Sequence, residues 1–535
     1  MSHGLATTFK VLTHTDNEAA VRVLLSALDS PHAAVQEGAL RAILNRRSPQ
    51  GGREIVRRLD GLPPRWKEII RRYHGRLTGA LRDAIVGSDP QMAERGCRAA
   101  VWFHEYDLIP ALLNVIEGRS GASADLAAET LLELVGALCD ELAAPRDYTD
   151  RRDPQRVRER IVESLGAWVG RFERHKRREV IEAFLLLTHR NDVVLQGILR
   201  DPHHAAFVAT MDVLLHSGRG GVMRLLLGFL DDAGAPSSVL SAVARRSDLK
   251  FVRYLLRKIG HQPSAAAGQN LKRIESIPWL CEGSPLLEQL DDAAQHGAVR
   301  LAMTCGISRL TAFSTIEHVL RHGNTGGRRA AAAALAEFQG AAANALAVSA
   351  LDDPDPQVQA SVALQLRQRG VPGAMTRLLA LVESPHAVVR RAVRESLAEF
   401  SFPRFLAGFD MLDEEVRRST GLLVKRIDPE TVPLLRVELK SKMRTRRLRG
   451  LAVARIIDVV APLEREIIAM LDDDDHLVRA GAAAALANVG SETSRLALET
   501  ALEDTSPKVR ETAEESLRER CQFRQWREAL ADPRD

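Results

Sequence analysis

The sequence has 535 residues, enough for several ordinary domains or for one long array of repeats. Apolar residues make up 45% of it and charged residues 27%, a composition typical of a soluble protein. Aromatic residues make up only 4%, so the hydrophobic core must be built from Ala, Leu, Val and Ile. Its 74 Lys and Arg residues against 70 Asp and Glu residues give a net charge of only +4. This near-neutral charge disfavours nucleic-acid binding over the whole surface of the protein.

The N-terminus lacks a basic segment followed by an apolar one, so no secretory signal is predicted. The longest strictly apolar stretch, Ala330–Ala336, is too short to span a membrane. We therefore expect a cytoplasmic protein with no membrane partner. The cysteines lie far apart without a CxxC pair, which favours buried, reduced thiols over a zinc or dithiol site; they are Cys97, Cys139, Cys281, Cys305 and Cys521.

Residues 1–165 are predicted to form the first segment of a helical repeat array, with only loose matches between units. Within them, residues 41–82 hold 12 Lys and Arg residues against three carboxylates. Residues 166–290 form a second, irregular segment. Its stretch 260–285 is rich in Gly, Pro, Ser and Ala, and it predicts either an insertion on one face or a change of curvature.

Residues 291–535 form the third and most regular segment. One frame recurs there: a Leu, an acidic or Pro-bearing turn, and then V-R-x-x-A/V-x-x-x-L, as in 351–366 and 471–486. The highly charged stretch 514–535 is predicted to be a C-terminal capping helix. Anchor residues follow one another at intervals of 27 to 32 residues; they are Val358, Val389, Val416, Leu448, Val478 and Val509.

Each unit is predicted to be a pair of helices joined by the acidic turn. Positions 0, +4 and +8 from the anchor are apolar, as in Val478, Ala482 and Leu486, and such a row lies on one face of a helix. One pair cannot bury its own apolar face, so the pairs must stack. Looser matches extend back to Val35. We therefore expect an all-α protein, a right-handed α-solenoid of about sixteen stacked helix pairs.

These features resemble the HEAT repeat family, and more closely its short bacterial form, the phycobilisome-lyase-like HEAT repeat. The motif that carries the resemblance is D-x5-R, present as Asp473/Arg479 and as Asp504/Arg510. The resemblance implies that these residues form a structural ladder between repeats. It also implies that the second helices line the concave face.

A second basic stretch lies within the regular segment. Residues 436–455 hold eight Lys and Arg residues against Glu438. Stacked repeats would combine their arginines with those of earlier repeats into a basic stripe on the second helices, suited to an acidic or phosphorylated protein or to a nucleic-acid backbone. A solvated charged face on an Arg-rich protein is the simpler interpretation. The predicted stripe consists of Arg391, Arg394, Arg418, Arg446, Arg447, Arg449 and Arg455.

No constellation of catalytic residues stands out. His318 and His322 have the spacing of two metal ligands on a helix, beside Glu317, but no third ligand follows at a suitable distance. A phosphate-binding loop, a dinucleotide fingerprint and a nucleophile elbow are all missing from the sequence. We therefore predict no catalytic residue, no metal and no cofactor.

The function predicted from these features is that of a non-catalytic scaffold or adaptor that holds a protein partner on its concave face. One alternative is nucleic-acid binding, with a resemblance to HEAT-like alkylpurine DNA glycosylases, because Trp66 and Trp102 lie close to the 41–82 stretch and could stack on bases. Another is an enzyme like the bilin lyases, which share the repeat type. Repeat type alone does not establish function.

Overall fold

The computed structural model of the protein describes residues 3–144, 153–260 and 263–531. Within these ranges the chain forms 34 α-helices and nine short 3-10 helices, and no strand. None of the described helices is long and apolar enough to cross a membrane.

Short helices follow one another along the whole described chain. The first seventeen are α1 (His3–His14), α2 (Ala19–Ala27), α3 (Ala33–Arg46), α4 (Pro49–Arg57), α5 (Pro64–Arg72), α6 (Thr78–Val86), α7 (Pro90–Phe103), α8 (Ile109–Gly118), α9 (Ala122–Ala143), α10 (Pro154–Val169), α11 (Phe172–His175), α12 (Arg178–Leu187), α13 (Val193–Arg200), α14 (Phe207–His216), α15 (Gly220–Gly228), α16 (Ser237–Arg245) and α17 (Leu249–Gly260). The others are α18 (Ala265–Lys272), α19 (Pro285–Glu288), α20 (Asp292–Thr304), α21 (Arg309–His322), α22 (Thr325–Ala334), α23 (Ala341–Ser349), α24 (Pro356–Leu366), α25 (Ala374–Leu381), α26 (Ala387–Ser396), α27 (Phe402–Gly408), α28 (Glu414–Ile427), α29 (Thr431–Leu439), α30 (Arg444–Ile456), α31 (Glu464–Ala469), α32 (His476–Leu486), α33 (Glu492–Ala501) and α34 (Pro507–Ala531).

The chain divides into two compact units, an N-terminal unit (residues 1–327) and a C-terminal unit (residues 328–535). The division into three segments made from the sequence remains a prediction.

The C-terminal unit is a stack of helix pairs. Its second helices pack on one another, α24 on α26 and α30 on α32, and α32 in turn on α34. Each also packs on the first helix of its own pair, as α30 does on α29. The anchors Val358, Val389, Val478 and Val509 are fully buried between these helices. The predicted fold class, an all-α solenoid, is confirmed.

The repeat frame is wrong at one anchor, Val416, whose side chain is 39% exposed. Helix α28 instead buries Gly421, Val424 and Ile427. A Cβ on Gly421 would collide with Cγ2 of Ile457, at the end of the next second helix. Helix α28 therefore packs closely at Gly421, and Val416 lies outside this packed face.

In the N-terminal unit, the irregular stretch that begins after α17 contributes to the core. Trp279 and Leu280 are buried in the loop that follows α18. Asn270 on α18 donates hydrogen bonds to the carbonyl oxygens of Leu230 and Asp232, at 2.9 and 2.7 Å. The described part of this stretch is thus packed against the repeat that precedes it.

Candidate functional site

The acidic turns of the C-terminal unit use their aspartates for two tasks. Asp475 is the N-cap of α32 and accepts hydrogen bonds from the backbone N–H groups of Leu477 and Val478. Asp473, two residues earlier, accepts a bond from the N–H of Asp475 and keeps a carboxylate oxygen for another repeat. The turn therefore caps its own helix and offers a negative charge to its neighbour.

That charge is met by an arginine on the preceding second helix. Nη2 of Arg447 donates to Asp473 at 3.0 Å, while its Nε lies 2.8 Å from the other carboxylate oxygen. Arg479 is paired with Asp504 in the same way, at 2.8 and 3.0 Å. Arg510 donates to the carbonyl oxygens of Asp504 and Thr505. The four residues of the D-x5-R motifs thus lie in one series of contacts that runs from repeat to repeat.

Three arginines of the predicted basic stripe are occupied by carboxylates of the protein itself. Arg447 belongs to the contacts just described. Arg446 donates to Glu438 through two nitrogens, and this hydrogen bonding holds the pKa of the Glu438 carboxyl below its usual value. Arg449 lies 3.7 Å from a carboxylate oxygen of Asp410 and 3.9 Å from one of Glu438. Each of these three side chains is therefore paired with a carboxylate of the protein itself.

The other four arginines of the stripe are placed differently. Arg391, Arg418 and Arg455 are exposed, and Arg394 is half-buried. Within the described ranges none of the four forms an ion pair. They lie on α26, α28 and α30, of which α30 packs on α28, and the 3-10 helix 398–400 at the end of α26 packs on α28 as well. We call these four residues the arginine row.

A third use of arginine was not predicted from the sequence. Side chains reach back about one repeat and donate to the last carbonyl groups of an earlier helix, where the helix has no donor of its own to bind them. Arg246 donates to the carbonyl oxygens of Leu214 and Ser217 at 3.0 and 2.7 Å. Arg369 reaches Phe338 in the same manner, at 2.8 Å. This device accounts for part of the high arginine content.

The 41–82 stretch does not form an open stacking surface. Trp66 is buried in the core. The ammonium group of Lys67 lies 3.8 Å from the ring centroid of Trp102 and covers that ring. Arg46 donates to the carbonyl oxygens of Leu12 and Thr15, at 2.9 and 2.5 Å. Neither tryptophan is therefore placed to stack on a base.

The other candidate residues from the sequence are a pair of histidines and the cysteines. The rings of His318 and His322 lie 5.3 Å apart, and in the described part of the chain no three His, Cys, Asp or Glu residues are grouped as metal ligands. Cys97 is buried, as predicted, whereas Cys281 is exposed, contrary to the prediction. Cys521 lies outside the side chains that the structure describes.

Comparison with known protein families identifies the type of repeat in two parts of the C-terminal half of the sequence. HEAT repeats are matched over residues 314–398 and 447–518. No curated protein matches the chain.

Among solved structures, the chain is similar to Kap121p, with 12% identity and a TM-score of 0.25 over 97% of this chain and 53% of that one. It is similar to importin beta, with 13% identity and a TM-score of 0.30 over 97% and 82% of the two chains. It is also similar to Kap95p from a complex with RanGDP, with 12% identity and a TM-score of 0.24 over 99% and 79%. The chain spans about half the length of Kap121p. Likenesses this low carry no argument about partners or activity.

Proposed function

We propose that the protein is a non-catalytic HEAT-repeat scaffold or adaptor of the cytoplasm, and that it binds a protein partner on the second helices of its C-terminal unit. The observation that carries the proposal is the arginine row. Its four side chains lie on successive second helices and have no carboxylate partner in the described chain, whereas Arg446, Arg447 and Arg449 close by are all paired.

The row favours an acidic or phosphorylated partner. Guanidinium groups bind carboxylate and phosphate through two parallel N–H donors, which gives geometric specificity as well as energy. Exposed apolar side chains lie on the same row of helices, namely Leu364 on α24 and Leu422 on α28. A segment of protein that combines acidic and apolar side chains would match both features.

Nucleic acid fits this surface less well. Exposed carboxylates stand among the arginines, Glu395 on α26 and Glu414 and Glu415 on α28, and they would repel a continuous phosphate backbone. The two tryptophans proposed to stack on bases are buried or covered. The finer likeness to the phycobilisome-lyase-like form rests on the D-x5-R motif alone and remains part of this proposal.

The test is capture of partners from the organism's own lysate by the intact protein, with and without nuclease and at low and high salt. A variant with Arg391, Arg418 and Arg455 changed to Glu is compared with a matched control in which Arg377, Arg404 and Arg465 are changed to Glu. The control residues are also exposed arginines, but they lie on the first helices α25, α27 and α31.

We expect one protein to be captured by the wild type and by the control, to survive nuclease, and to be lost with the arginine-row variant. Equal capture of the protein by both variants would show that the arginine row is not part of the binding surface. Material that is sensitive to nuclease, and whose binding falls steeply with salt, would establish the nucleic-acid alternative instead.

A further inference from the structure

A groove of about 700 Å³ lies in the N-terminal unit, apart from the arginine row. It is formed by the C-terminal ends of α9 and α12, by α10, by the loop after α12 and by α15. Its volume lies within the range of small-molecule sites. Its lining includes the apolar residues Leu142, Leu186 and Leu225. It also includes several polar and charged residues.

Three arginines line the groove, Arg158, Arg190 and Arg224, and none of the described lining residues is a carboxylate. Arg158 donates its Nε–H to the carbonyl oxygen of Leu187 at 2.6 Å, and Arg190 donates from Nη1 to that of Gly228 at 3.1 Å. Each bond uses one of the five N–H donors of its guanidinium. Arg224 is exposed and has no ion pair within the described residues. Most of the N–H donors of these three guanidinium groups therefore form no hydrogen bond to the described residues.

The carbonyl groups at the end of α12 would oppose an anion if they were left free. Two of them are occupied, because Leu187 accepts from Arg158 and Leu186 accepts from the thiol of Cys139 at 3.5 Å. Burial raises the pKa of the Cys139 thiol, and the Asp140 carboxylate adds to this rise, whereas the guanidinium groups of Arg224, Arg158 and Arg219 oppose it. Three guanidinium groups and one carboxylate therefore act at this point of the groove.

A second observation, independent of the charges, points to a ligand. Thr188, the C-cap of α12, lines the groove and is only 8% exposed. Its Oγ1 is buried and makes no hydrogen bond to any described residue. A buried hydroxyl without a partner costs free energy. A rotation about χ1 of Thr188 that turns Oγ1 into the groove would let a bound acceptor remove that cost.

We propose that this groove binds a phosphate group, held by Arg158, Arg190 and Arg224 with a hydrogen bond from Thr188. The phosphate belongs to a molecule with an apolar portion that contacts the leucines of the lining. Such a molecule is either a phosphorylated metabolite or a phosphorylated side chain of another protein. The proposal is independent of the arginine row and of its partner.

The test is isothermal titration calorimetry of the full-length protein, at an ionic strength held constant with sodium chloride. The three probes are inorganic phosphate, O-phosphoserine, and a short peptide with phosphoserine between leucines. The variants are Arg224→Gln, which alters an exposed side chain, and Thr188→Val, which removes the hydroxyl at nearly constant volume. The matched control is Arg82→Gln, an exposed arginine of the same unit that does not line the groove.

We expect saturable binding of at least one probe at one site per chain. Arg224→Gln should weaken it about tenfold, the loss typical of one hydrogen bond to a charged group. Thr188→Val should weaken it by a smaller factor, and Arg82→Gln should leave it unchanged. A peptide that binds at least tenfold more tightly than phosphoserine identifies the source as a phosphoprotein, and the reverse order identifies a metabolite.

The absence of saturable binding with all three probes overturns the proposal. Equal weakening by Arg224→Gln and Arg82→Gln overturns it too, because binding would then follow total charge instead of the groove. Since Arg224 is exposed and forms no ion pair within the described ranges, its variant is expected to fold normally. A circular dichroism spectrum identical to that of the wild type verifies this.

Discussion

Arg479 on α32 joins three parts of the C-terminal unit at once. It binds the carboxylate of Asp504, in the turn of the next repeat, through two parallel hydrogen bonds of 2.8 and 3.0 Å. It also donates to the carbonyl oxygen of Asp473, in the turn before its own helix, at 2.8 Å. Both side chains of the ion pair are largely buried, at 14% and 12% exposure. The pair is therefore only weakly screened by solvent.

Replacing Arg479 with Gln is expected to lower the free energy of unfolding of the C-terminal unit by about 1–3 kcal/mol, because a largely buried carboxylate loses its charged donor. Urea denaturation followed by circular dichroism measures this change. The control is Arg495→Gln, which breaks the exposed pairs with Glu492 and Glu499 and should cost clearly less, because solvent screens these pairs. Equal losses in both variants would contradict a special role for the buried pair.

The same pair predicts a dependence of stability on pH. The hydrogen bonds from Arg479 hold the pKa of the Asp504 carboxyl below its ordinary value of 3.8. A lowered pKa in the folded state gives a stabilisation that is present above the ordinary pKa and is lost as the pH falls through the folded pKa. The stability difference between the wild type and Arg479→Gln should therefore be constant near neutral pH and shrink below about pH 4. Urea titrations at a series of pH values test this, and a constant difference at all pH values would refute it.

The D-x5-R motif names the residues of the expected ladder and the family resemblance implies contacts between repeats, but the motif itself does not give the partner of each side chain. The D-x5-R motif places Asp473 and Arg479 six residues apart, yet each carboxylate is bound by an arginine of the preceding repeat, Arg447 for Asp473 and Arg479 for Asp504. Those partners are 26 and 25 residues apart in the chain. Only the stacking of one helix pair on the next brings them together, and a motif within one repeat contains no information about that distance.

The predicted stripe of seven arginines therefore separates into structural and available residues. Arg447→Glu is expected to destabilise the C-terminal unit by about 1–3 kcal/mol, since it removes the donor of the Asp473 carboxylate and places a like charge beside it. Arg455→Glu, at an exposed residue of the same helix, should change stability by no more than about 0.5 kcal/mol. Urea denaturation of the two variants, measured side by side, compares their free energies of unfolding. Similar values would mean that the pairing of Arg447 with Asp473 does not stabilise the unit.

The arginines that cap carbonyl groups lie outside the predicted stripe, and they show why the role of a basic residue in these repeats cannot be assigned from the sequence. Arg246 directly follows α16, and Arg369 comes three residues after the end of α24, where surface arginines are common. Their acceptors are carbonyl groups about one repeat earlier, at Leu214 and Phe338, and backbone carbonyls leave no mark in the sequence. A basic stretch in a helical repeat therefore predicts positive charge, but it does not tell whether the charge faces solvent or the end of another helix.

The close packing of α17 on α20 gives a further prediction. A Cβ on Gly297 would collide with the carbonyl oxygen of Leu256, a backbone atom that cannot rotate away. Gly297→Ala should therefore push the two helices apart and destabilise the N-terminal unit by about 1–3 kcal/mol. Gly268→Ala in α18 is the control, because nothing lies within 4 Å of the added atom. That variant should be more stable by up to about 1 kcal/mol, through helix propensity alone. Thermal unfolding of both proteins distinguishes the outcomes, and an unchanged Gly297→Ala protein would disprove the close contact.

The cysteines should differ sharply in reactivity, because the thiolate is the reacting species. Burial raises the pKa of the Cys305 thiol to about 12, so almost none of it is ionised near neutral pH, whereas Cys281 is exposed. In a Cys521→Ser background, iodoacetamide should alkylate Cys281 in the native protein and Cys305 only after denaturation. Mass spectrometry of tryptic peptides over time measures both rates. Alkylation of Cys305 as fast as that of Cys281 would show that the loop after α20 opens in solution, since the thiol can ionise readily only when water reaches it.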